Sequence, residues 1–306
     1  MPVTILGPQR PVANLPQVLS SLGVRGPVAL ISAGWRYDED RDEPVRAELK
    51  MTVHNLRLYQ AYVEIEREAP DLARAYGRKQ AELIRVKGVY RAALAPAVEA
   101  VRALWADRRD PTCPYFEAAL RHLHALDRLF LAQAANLHRQ FDEEVRPARH
   151  PLVWATNARV RDILAGVDAV LLAGGHVGIL RNRLAFFGID RLLAGQNVVG
   201  WSAGAMVLGE RVLLYHDHVP GESRPAEYLD LGVGLVPDTV FLPHAHARLK
   251  LDDADAVALM AARIEPLRAS ALEPGAWLPE GQRSIGRAGA AWQLTSTGLR
   301  RPLEDE

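Results

Sequence analysis

The chain has 306 residues, of which 49% are hydrophobic and 24% are charged, a composition typical of a soluble globular protein of one or two domains. Its 37 basic and 37 acidic residues cancel, so the charge balance disfavours a nucleic acid or an anionic membrane as partner. Cys113 is the only cysteine, which excludes an internal disulfide bond, and neither a signal-peptide pattern nor a membrane-spanning apolar run is evident. We therefore expect a cytoplasmic protein.

The first part of the chain has the pattern of a β-α-β unit. Short apolar runs at 3–6 and 28–33 flank a segment with leucine and valine at helical spacing, closed by Gly23. From about residue 41 to residue 149 the chain has almost no glycine and no strand-like alternation, which predicts a large all-helical insertion. Within it we predict helices over 45–63, over 71–90, from Pro96 onward, and over 116–145, the last ended by Pro147.

Strand-like runs resume after the insertion and alternate with helical spacing, which predicts a parallel sheet covered on both faces. The fold class is therefore α/β, a mostly parallel sheet flanked by helices, with residues 1–40 and 150–306 forming the α/β domain and residues 41–149 the helical insertion. The predicted strands are 152–155, 169–173, 197–200, 212–215 and 240–242, followed by small tail strands at 276–278, 283–285 and 291–294.

The segment Gly200-Trp201-Ser202-Ala203-Gly204 has the pattern of a nucleophile elbow. A β-branched run precedes the serine and a helix-competent run follows it, so Ser202 would lie at the carboxyl edge of the sheet. A sharp strand-to-helix turn brings backbone segments too close together for a Cβ atom, which explains glycine at both ends of the motif.

Serine becomes a nucleophile only when a base takes its proton, so Ser202 requires a histidine and a group that orients it. Half of the ten histidines lie between His176 and His246. The doublets His216-Asp217-His218 and His244-Ala245-His246 each follow a predicted strand. In a parallel sheet those strand ends would lie on the same side as the elbow.

Three alternatives stay open. The order serine, aspartate, histidine also occurs in α/β-hydrolases, although the short span from Ser202 to His244 and the lack of a His-Gly-Gly-Gly segment argue against that fold. Imidazoles at alternate positions can bind a metal ion, so a metal-dependent hydrolase is the second alternative. A non-catalytic protein that uses the insertion for interaction is the third. In the second alternative the metal ligands would be His216, His218, His244 and His246.

An ordered set of motifs resembles the S51 serine peptidases, dipeptidase E and cyanophycinase. These motifs are Leu171-Leu172-Ala173-Gly174-Gly175, Gly200-Trp201-Ser202-Ala203-Gly204-Ala205, Gly232-Val233-Gly234-Leu235-Val236-Pro237 and Pro243-His244. The resemblance implies a class I glutamine amidotransferase-like, flavodoxin-like fold in which serine replaces the usual cysteine nucleophile.

The resemblance also implies roles for the reacting side chains. Ser202 matches the nucleophile and His244 the general base. Asp217, fifteen residues after the serine, matches the acid of the dipeptidase branch. Without the resemblance, Asp217 could equally be a turn residue, because loops after strands favour aspartate. His216 or His218 could also exchange roles with it.

Further positions match the surroundings of the nucleophile. The turn at Gly174 and Gly175 matches the oxyanion loop, where the N–H groups of Gly175 and Ala203 would receive the developing charge. His176 follows this turn, in a position where both branches carry other residues. Arg248, four residues beyond the base, is placed like an arginine of the cyanophycinase site and could hold a substrate carboxylate.

Together these observations predict a serine-type peptidase that cleaves small or unusual peptides through an acyl-enzyme on Ser202. The expected partner is a small peptide substrate, a homodimer stays open, and neither a cofactor nor a metal ion is expected.

Overall fold

The computed structural model describes residues 3–109, 114–193, 195–215, 225–278, 291–298 and 300–302. In chain order the strands within these ranges are β1 (Val3–Leu6), β2 (Val28–Ile31), β3 (Val53–Asn55), β4 (Ala169–Leu172), β5 (Val198–Trp201), β6 (Arg211–Leu214), β7 (Glu227–Leu231), β8 (Thr239–Pro243), β9 (Arg268–Leu272), β10 (Trp277–Leu278), β11 (Ala291–Leu294) and β12 (Arg300–Pro302).

The α-helices of the same ranges are α1 (Leu15–Ser21), α2 (Glu43–Leu49), α3 (Leu58–Glu68), α4 (Pro70–Ala103), α5 (Tyr115–Glu144), α6 (Pro151–Leu164), α7 (Val177–Phe187), α8 (Ile189–Leu192), α9 (Ala203–Leu208), α10 (Ala245–Arg248) and α11 (Ala254–Ile264). None of them combines the length and the apolarity that crossing a membrane requires.

A largely parallel sheet forms the centre of the molecule, as predicted. Its strand order is β10-β1-β5-β4-β2-β3, and every pair except β10 with β1 is parallel. Every residue of β1, β2, β4 and β5 is buried, which is the pattern of strands covered on both faces. The parallel strands therefore end at one common edge of the sheet, and Ser202 follows β5 at this edge.

Helices cover both faces of this sheet. On one face α1 and α2 pack through Leu15, Leu19 and Leu49 against strand residues such as Leu30 and Leu171. The longer helices lie in the larger core on the other face. The result is a three-layer α/β arrangement, with Ser202 half-buried at the end of β5.

A second sheet carries the strand that precedes His244. Its order is β12-β11-β9-β8, with β8 and β9 parallel, while β6 and β7 form a separate antiparallel pair. The predicted strands at 212–215 and 240–242 exist, but the expectation that they continue the central sheet is wrong. The helix α9 lies against β5 and β8, so it separates the two sheets at this point. The predicted tail strand at 283–285 lies outside the described residues.

The helical region is dominated by an antiparallel pair, α4 and α5. Contacts of Tyr76 with Phe141 and of Tyr90 with Phe130 define the antiparallel direction, and Trp105, just after α4, contacts Phe116 near the start of α5. The predicted helix over 116–145 is confirmed. The two helices predicted over 71–90 and from Pro96 are wrong as separate elements, because α4 runs through Pro96 without ending.

Two local predictions are also wrong. The helix predicted over 45–63 is interrupted by β3, which pairs with β2 at the edge of the central sheet. The strand predicted at 152–155 lies inside α6, where Val153, Val160 and Leu164 are buried at helical spacing. The apolar run at 152–155 fits a helix and a strand equally well, and helix capping decided between them. At β3, pairing with β2 overrode the helical spacing of the surrounding apolar residues.

Candidate active site

The serine lies on a sharp turn between strand and helix. β5 ends at Trp201 and α9 begins at Ala203, and Ser202 between them has φ 52° and ψ −120°. Such a conformation is unfavourable for a residue with a Cβ atom and is typical of a nucleophile elbow. A Cβ on Gly200 would lie 2.4 Å from Cδ1 of Leu208, and one on Gly204 would lie 2.1 Å from the carbonyl oxygen of Leu172. The two glycines thus allow the close backbone approach that exposes Ser202.

His244 reaches the serine from the second sheet. It follows β8 directly, precedes α10 and has a left-handed backbone with φ 58°. Its Nε2 atom lies 2.9 Å from Oγ of Ser202, which is within hydrogen-bonding distance. If Nε2 accepts the serine proton, the proton of the neutral ring is on Nδ1. This geometry suits a general base acting on a hydroxyl nucleophile.

The surroundings of His244 favour its neutral form. Burial lowers the pKa of the imidazole, and the nearby positive charge of Arg248 lowers it further. Among the described residues no carboxylate lies within ion-pair distance of the Arg248 guanidinium. The site therefore combines a base whose neutral form is favoured with a cation that has no ion-pair partner among the described residues.

The paired glycines lie beside the serine, between β4 and α7. Gly175 has φ 117°, a conformation that L residues with a side chain rarely adopt, and a Cβ on Gly174 would lie 2.8 Å from Cβ of Ser202. Within the described ranges the N–H groups of Gly175 and Ala203 donate to no protein acceptor. Both donors are thus available to a ligand at Ser202.

His176 has a structural contact of its own. Its N–H donates to the carbonyl of Gly34 at 2.8 Å, and its Nδ1 atom accepts from the N–H of Ile179 at 3.1 Å, which caps α7. This leaves Nε2 as the ring atom that can face a substrate.

The remaining predicted residues are not brought together by the described structure. Asp217, His216 and His218 lie outside the described residues, so the proposed acid and half of the metal alternative have no described position. His246 is exposed, and its N–H donates to the carboxylate of Glu273. Within the described part of the chain no three histidine, cysteine or acidic side chains are grouped as metal ligands would be.

Sequence reasoning missed Glu273. Pro243 of β8 is paired with Leu272 of β9, so Glu273 and His244 follow neighbouring parallel strands at the same edge. The Glu273 carboxylate binds the first turn of α10, and burial raises its pKa. The signal was weak because β9 has the sequence Arg-Ala-Ser-Ala-Leu, which contains no β-branched or aromatic residue.

Two cavities meet at the serine and histidine. The Arg248 cavity, of about 500 Å³, is lined by Gly175, His176, Val177, Gly178, Ser202, Ala203, Met206, Leu214, Tyr215, Leu229, Pro243, His244 and Arg248. The Trp35 cavity, of about 430 Å³, is lined by Pro8, Gln9, Arg10, Leu15, Trp35, Asp38, Arg41, Pro44, Val45, Glu48, Trp201, Ser202 and His244. Both volumes fall in the range of small-molecule sites.

Comparison with known proteins adds information on the fold. No protein-family model and no curated protein sequence matches the chain. The crystal structure of a peptidase from an acI-B1 Actinobacterium matches 99% of this chain and 94% of its own, with a TM-score of 0.50 and 13% sequence identity. The chain thus resembles a solved peptidase in fold.

A second solved structure, of a protein from Listeria monocytogenes EGD-e proposed to be a peptidase E, covers 96% of this chain and 99% of its own. Its TM-score is 0.44 and its sequence identity is 12%. At identities this low a common fold does not define the chemistry, which has to be argued from the side chains of the site.

Proposed function

We propose that the protein is a serine-type peptidase that cleaves small or unusual peptides through an acyl-enzyme on Ser202. The observation that carries this proposal is the 2.9 Å contact between Oγ of Ser202 and Nε2 of His244. A hydroxyl on a strained elbow, within reach of a neutral imidazole, is the arrangement that nucleophilic acyl transfer requires.

In the proposed acylation step, Nε2 of His244 takes the proton of Ser202 as Oγ attacks the scissile carbonyl carbon. The carbonyl oxygen becomes an oxyanion and accepts hydrogen bonds from the N–H groups of Gly175 and Ala203, which lack protein acceptors among the described residues. Loss of one such donor typically costs about 3 kcal/mol of transition-state stabilisation. The imidazolium then gives its proton to the departing amine nitrogen as the carbon–nitrogen bond breaks.

Deacylation reverses these roles with water. His244 removes a proton from water, the resulting hydroxide attacks the ester carbonyl, and the proton returns to Oγ of Ser202. The Nδ1 proton of His244 needs an acceptor that fixes the ring orientation, and we assign this role to Asp217, as the S51 resemblance implies. On the same resemblance, we propose that the chain has a class I glutamine amidotransferase-like fold.

For the substrate, we propose that Arg248 binds a carboxylate. The argument is its position in the Arg248 cavity and the absence of a carboxylate partner among the described residues. A buried or half-buried guanidinium without a partner gains most from an anionic ligand, because arginine pairs with a carboxylate through two hydrogen bonds. The Actinobacterium protein with the shared fold is itself named a peptidase, which agrees with peptide as the substrate class.

The proposal is tested with native protein and the Ser202→Ala variant on a panel of dipeptides and isopeptides. We expect the variant to lose at least about a thousandfold in kcat, since a triad without its nucleophile retains only binding and oxyanion stabilisation. A fluorophosphonate should add to the native protein and not to the variant, as read by intact mass. Equal hydrolysis rates for the two proteins would contradict the proposal.

A further inference from the structure

The Ser202–His244 pair lies at the junction of two cavities with different walls. The Trp35 cavity and the Arg248 cavity share only Ser202 and His244 among their lining residues. A substrate whose scissile carbonyl lies at Oγ of Ser202 can therefore extend in two directions from that atom. Each cavity alone is in the size range that buries a small molecule, so each has room for more than a methyl group.

The walls of the Trp35 cavity are mainly apolar and aromatic. Trp201 precedes the nucleophile on β5 and is 8% exposed, so its position is fixed by the sheet. Trp35 is partly exposed and lines the same cavity, together with Leu15 and Val45. Indole side chains in a cavity wall favour apolar and, above all, aromatic ligand groups, which bury a large area and stack.

The charges around the Trp35 cavity do not favour an ion. Arg41 is paired with Asp38 at 3.1 Å, and both side chains are largely exposed at the rim. The cavity also contains one further arginine and one glutamate, Arg10 and Glu48, both exposed, so its formal charges cancel. The Arg248 cavity, in contrast, has an arginine without a carboxylate partner among the described residues.

Trp35 also contacts the turn that carries one of the two proposed oxyanion donors, the N–H of Gly175. A Cβ on Gly175 would lie 3.0 Å from Cδ1 of Trp35, so the indole packs directly on this turn. The N–H of Trp35 donates to the carbonyl of Ser32 at 2.8 Å, which holds the segment that presents the ring. A group bound against Trp35 would therefore lie next to the reacting carbonyl.

We propose that the Trp35 cavity is a specificity subsite for a large apolar, preferably aromatic, side chain on the opposite side of the scissile bond from the group bound by Arg248. This inference rests on the proposed peptidase function and adds the substrate class: short peptides with a carboxylate group on one side of the cleaved bond and an aromatic residue on the other. Trp35 is the specificity-determining residue.

The test uses two pairs of dipeptides, Asp-Phe with Asp-Ala and Phe-Asp with Ala-Asp, because either cavity could take the acyl side. For native protein we expect kcat/KM of the phenylalanine peptide to exceed that of its alanine partner at least tenfold in one pair, since even single methylene groups in an apolar subsite are worth about tenfold. Trp35→Ala should reduce this ratio to near one, whereas Trp35→Phe should retain most of it. Trp154→Ala is the matched control, because Trp154 is 61% exposed on α6 and should leave the ratio unchanged.

Equal kcat/KM within both pairs for native protein would overturn the subsite and leave the proposed function intact, provided that Ser202→Ala abolishes hydrolysis. A ratio that Trp35→Ala leaves unchanged would overturn it as well. If native protein hydrolyses none of the four dipeptides, the subsite is tested by equilibrium binding of the same dipeptides to the Ser202→Ala protein. Tighter binding of the phenylalanine peptides by at least tenfold would support the subsite, and equal dissociation constants would overturn it.

Discussion

At the scale of single residues, the positive charge of Arg248 acts on His244, the base of the proposed mechanism. A cation next to an imidazole disfavours the protonated ring, so Arg248 keeps His244 neutral at lower pH than burial alone would. A general base works only in its neutral form. We therefore expect the acidic limit of the proposed activity at a pH below the ordinary pKa of histidine.

We predict that Arg248→Gln moves the acidic limb of the kcat/KM profile to higher pH. Removal of the positive charge raises the pKa of His244, so a larger fraction of the base is protonated and inactive at a given acidic pH. The measurement is the pH dependence of kcat/KM between pH 4 and pH 9, about the span that brackets histidine titration. Arg102→Gln, an exposed residue on α4, is the control. A limb that stays in place or moves to lower pH would contradict the prediction.

The paired glycines give a second prediction at this scale. A methyl group on Gly174 would lie 2.8 Å from Cβ of Ser202, so Gly174→Ala must displace either the turn or the nucleophile. We expect kcat to fall about a hundredfold or more, because a displacement of about 1 Å at reacting groups has that effect. Gly77→Ala on α4 is a matched control, since nothing lies within 4 Å of its Cβ position.

Circular dichroism and the unfolding midpoint show whether Gly174→Ala still folds. A folded Gly174→Ala protein with native kcat would mean that the Gly174 turn does not position Ser202. Gly77→Ala should leave kcat unchanged and should not destabilise the fold, because alanine is the better helix former.

At the scale of elements, a buried ion pair joins the long helical pair to the α/β part of the chain. Arg263 of α11 donates to both oxygens of Asp127 on α5, each at 3.0 Å, and the hydroxyl of Tyr90 on α4 donates to Asp127 at 2.5 Å. Arg263 also donates to the carbonyl of Ala226. The side chains of Arg263 and Asp127 are 5% and 3% exposed, so each charge is stabilised by the other instead of by water.

We predict that Asp127→Ala destabilises the protein by about 3–5 kcal/mol, because it leaves the buried guanidinium of Arg263 without its counter-charge. Urea unfolding measures the change in the free energy of unfolding. Glu117→Ala is the control on the same helix, since the Glu117–Arg121 pair is largely exposed and should leave the midpoint nearly unchanged. A loss no larger for Asp127→Ala than for the control would show that the buried pair does not hold these helices together.

The elements differ in how well their sequences specify them. The helix α5 was predictable because its apolar residues recur at helical spacing over 30 residues and Pro147 begins the next segment. β3 was not, since three residues between two helices become a strand only by pairing with β2. α6 was missed for a related reason, because four consecutive apolar residues fit a strand until Pro151 and the His150 cap start a helix.

At the scale of the whole molecule, the proposed mechanism assigns each step to a side chain or backbone group of the chain itself. In this proposal Ser202 supplies the nucleophile, His244 moves the proton, and the N–H groups of Gly175 and Ala203 bind the oxyanion. We therefore predict that peptidase activity survives exhaustive treatment with EDTA, and that metal analysis of the active, purified protein finds less than stoichiometric zinc.

Loss of activity on treatment with EDTA would indicate a different mechanism. Activity that disappears with EDTA, returns with Zn²⁺ and persists in Ser202→Ala would favour the metal-dependent hydrolase, with ligands among His216, His218, His244 and His246. Activity that is insensitive to EDTA and absent from Ser202→Ala would support the serine mechanism.

The sequence by itself determined the features that depend on neighbouring residues. The elbow at Ser202 was recognisable from its own five residues, since a sharp strand-to-helix turn favours glycine at positions 200 and 204. The α/β class followed from alternating buried strands and amphipathic helices, because burial on both faces requires nearly continuous apolar runs. These signals lie within windows of a few residues.

Only the tertiary structure decided what surrounds the serine. Ser202 and His244 are 42 residues apart and come from different sheets, yet their side chains meet at 2.9 Å. The effect of Arg248 on His244, the position of Glu273 beside it and the two cavities likewise arise from elements that pack together across the chain. Distances between such elements are set by the packing of the whole core, which no local sequence pattern encodes.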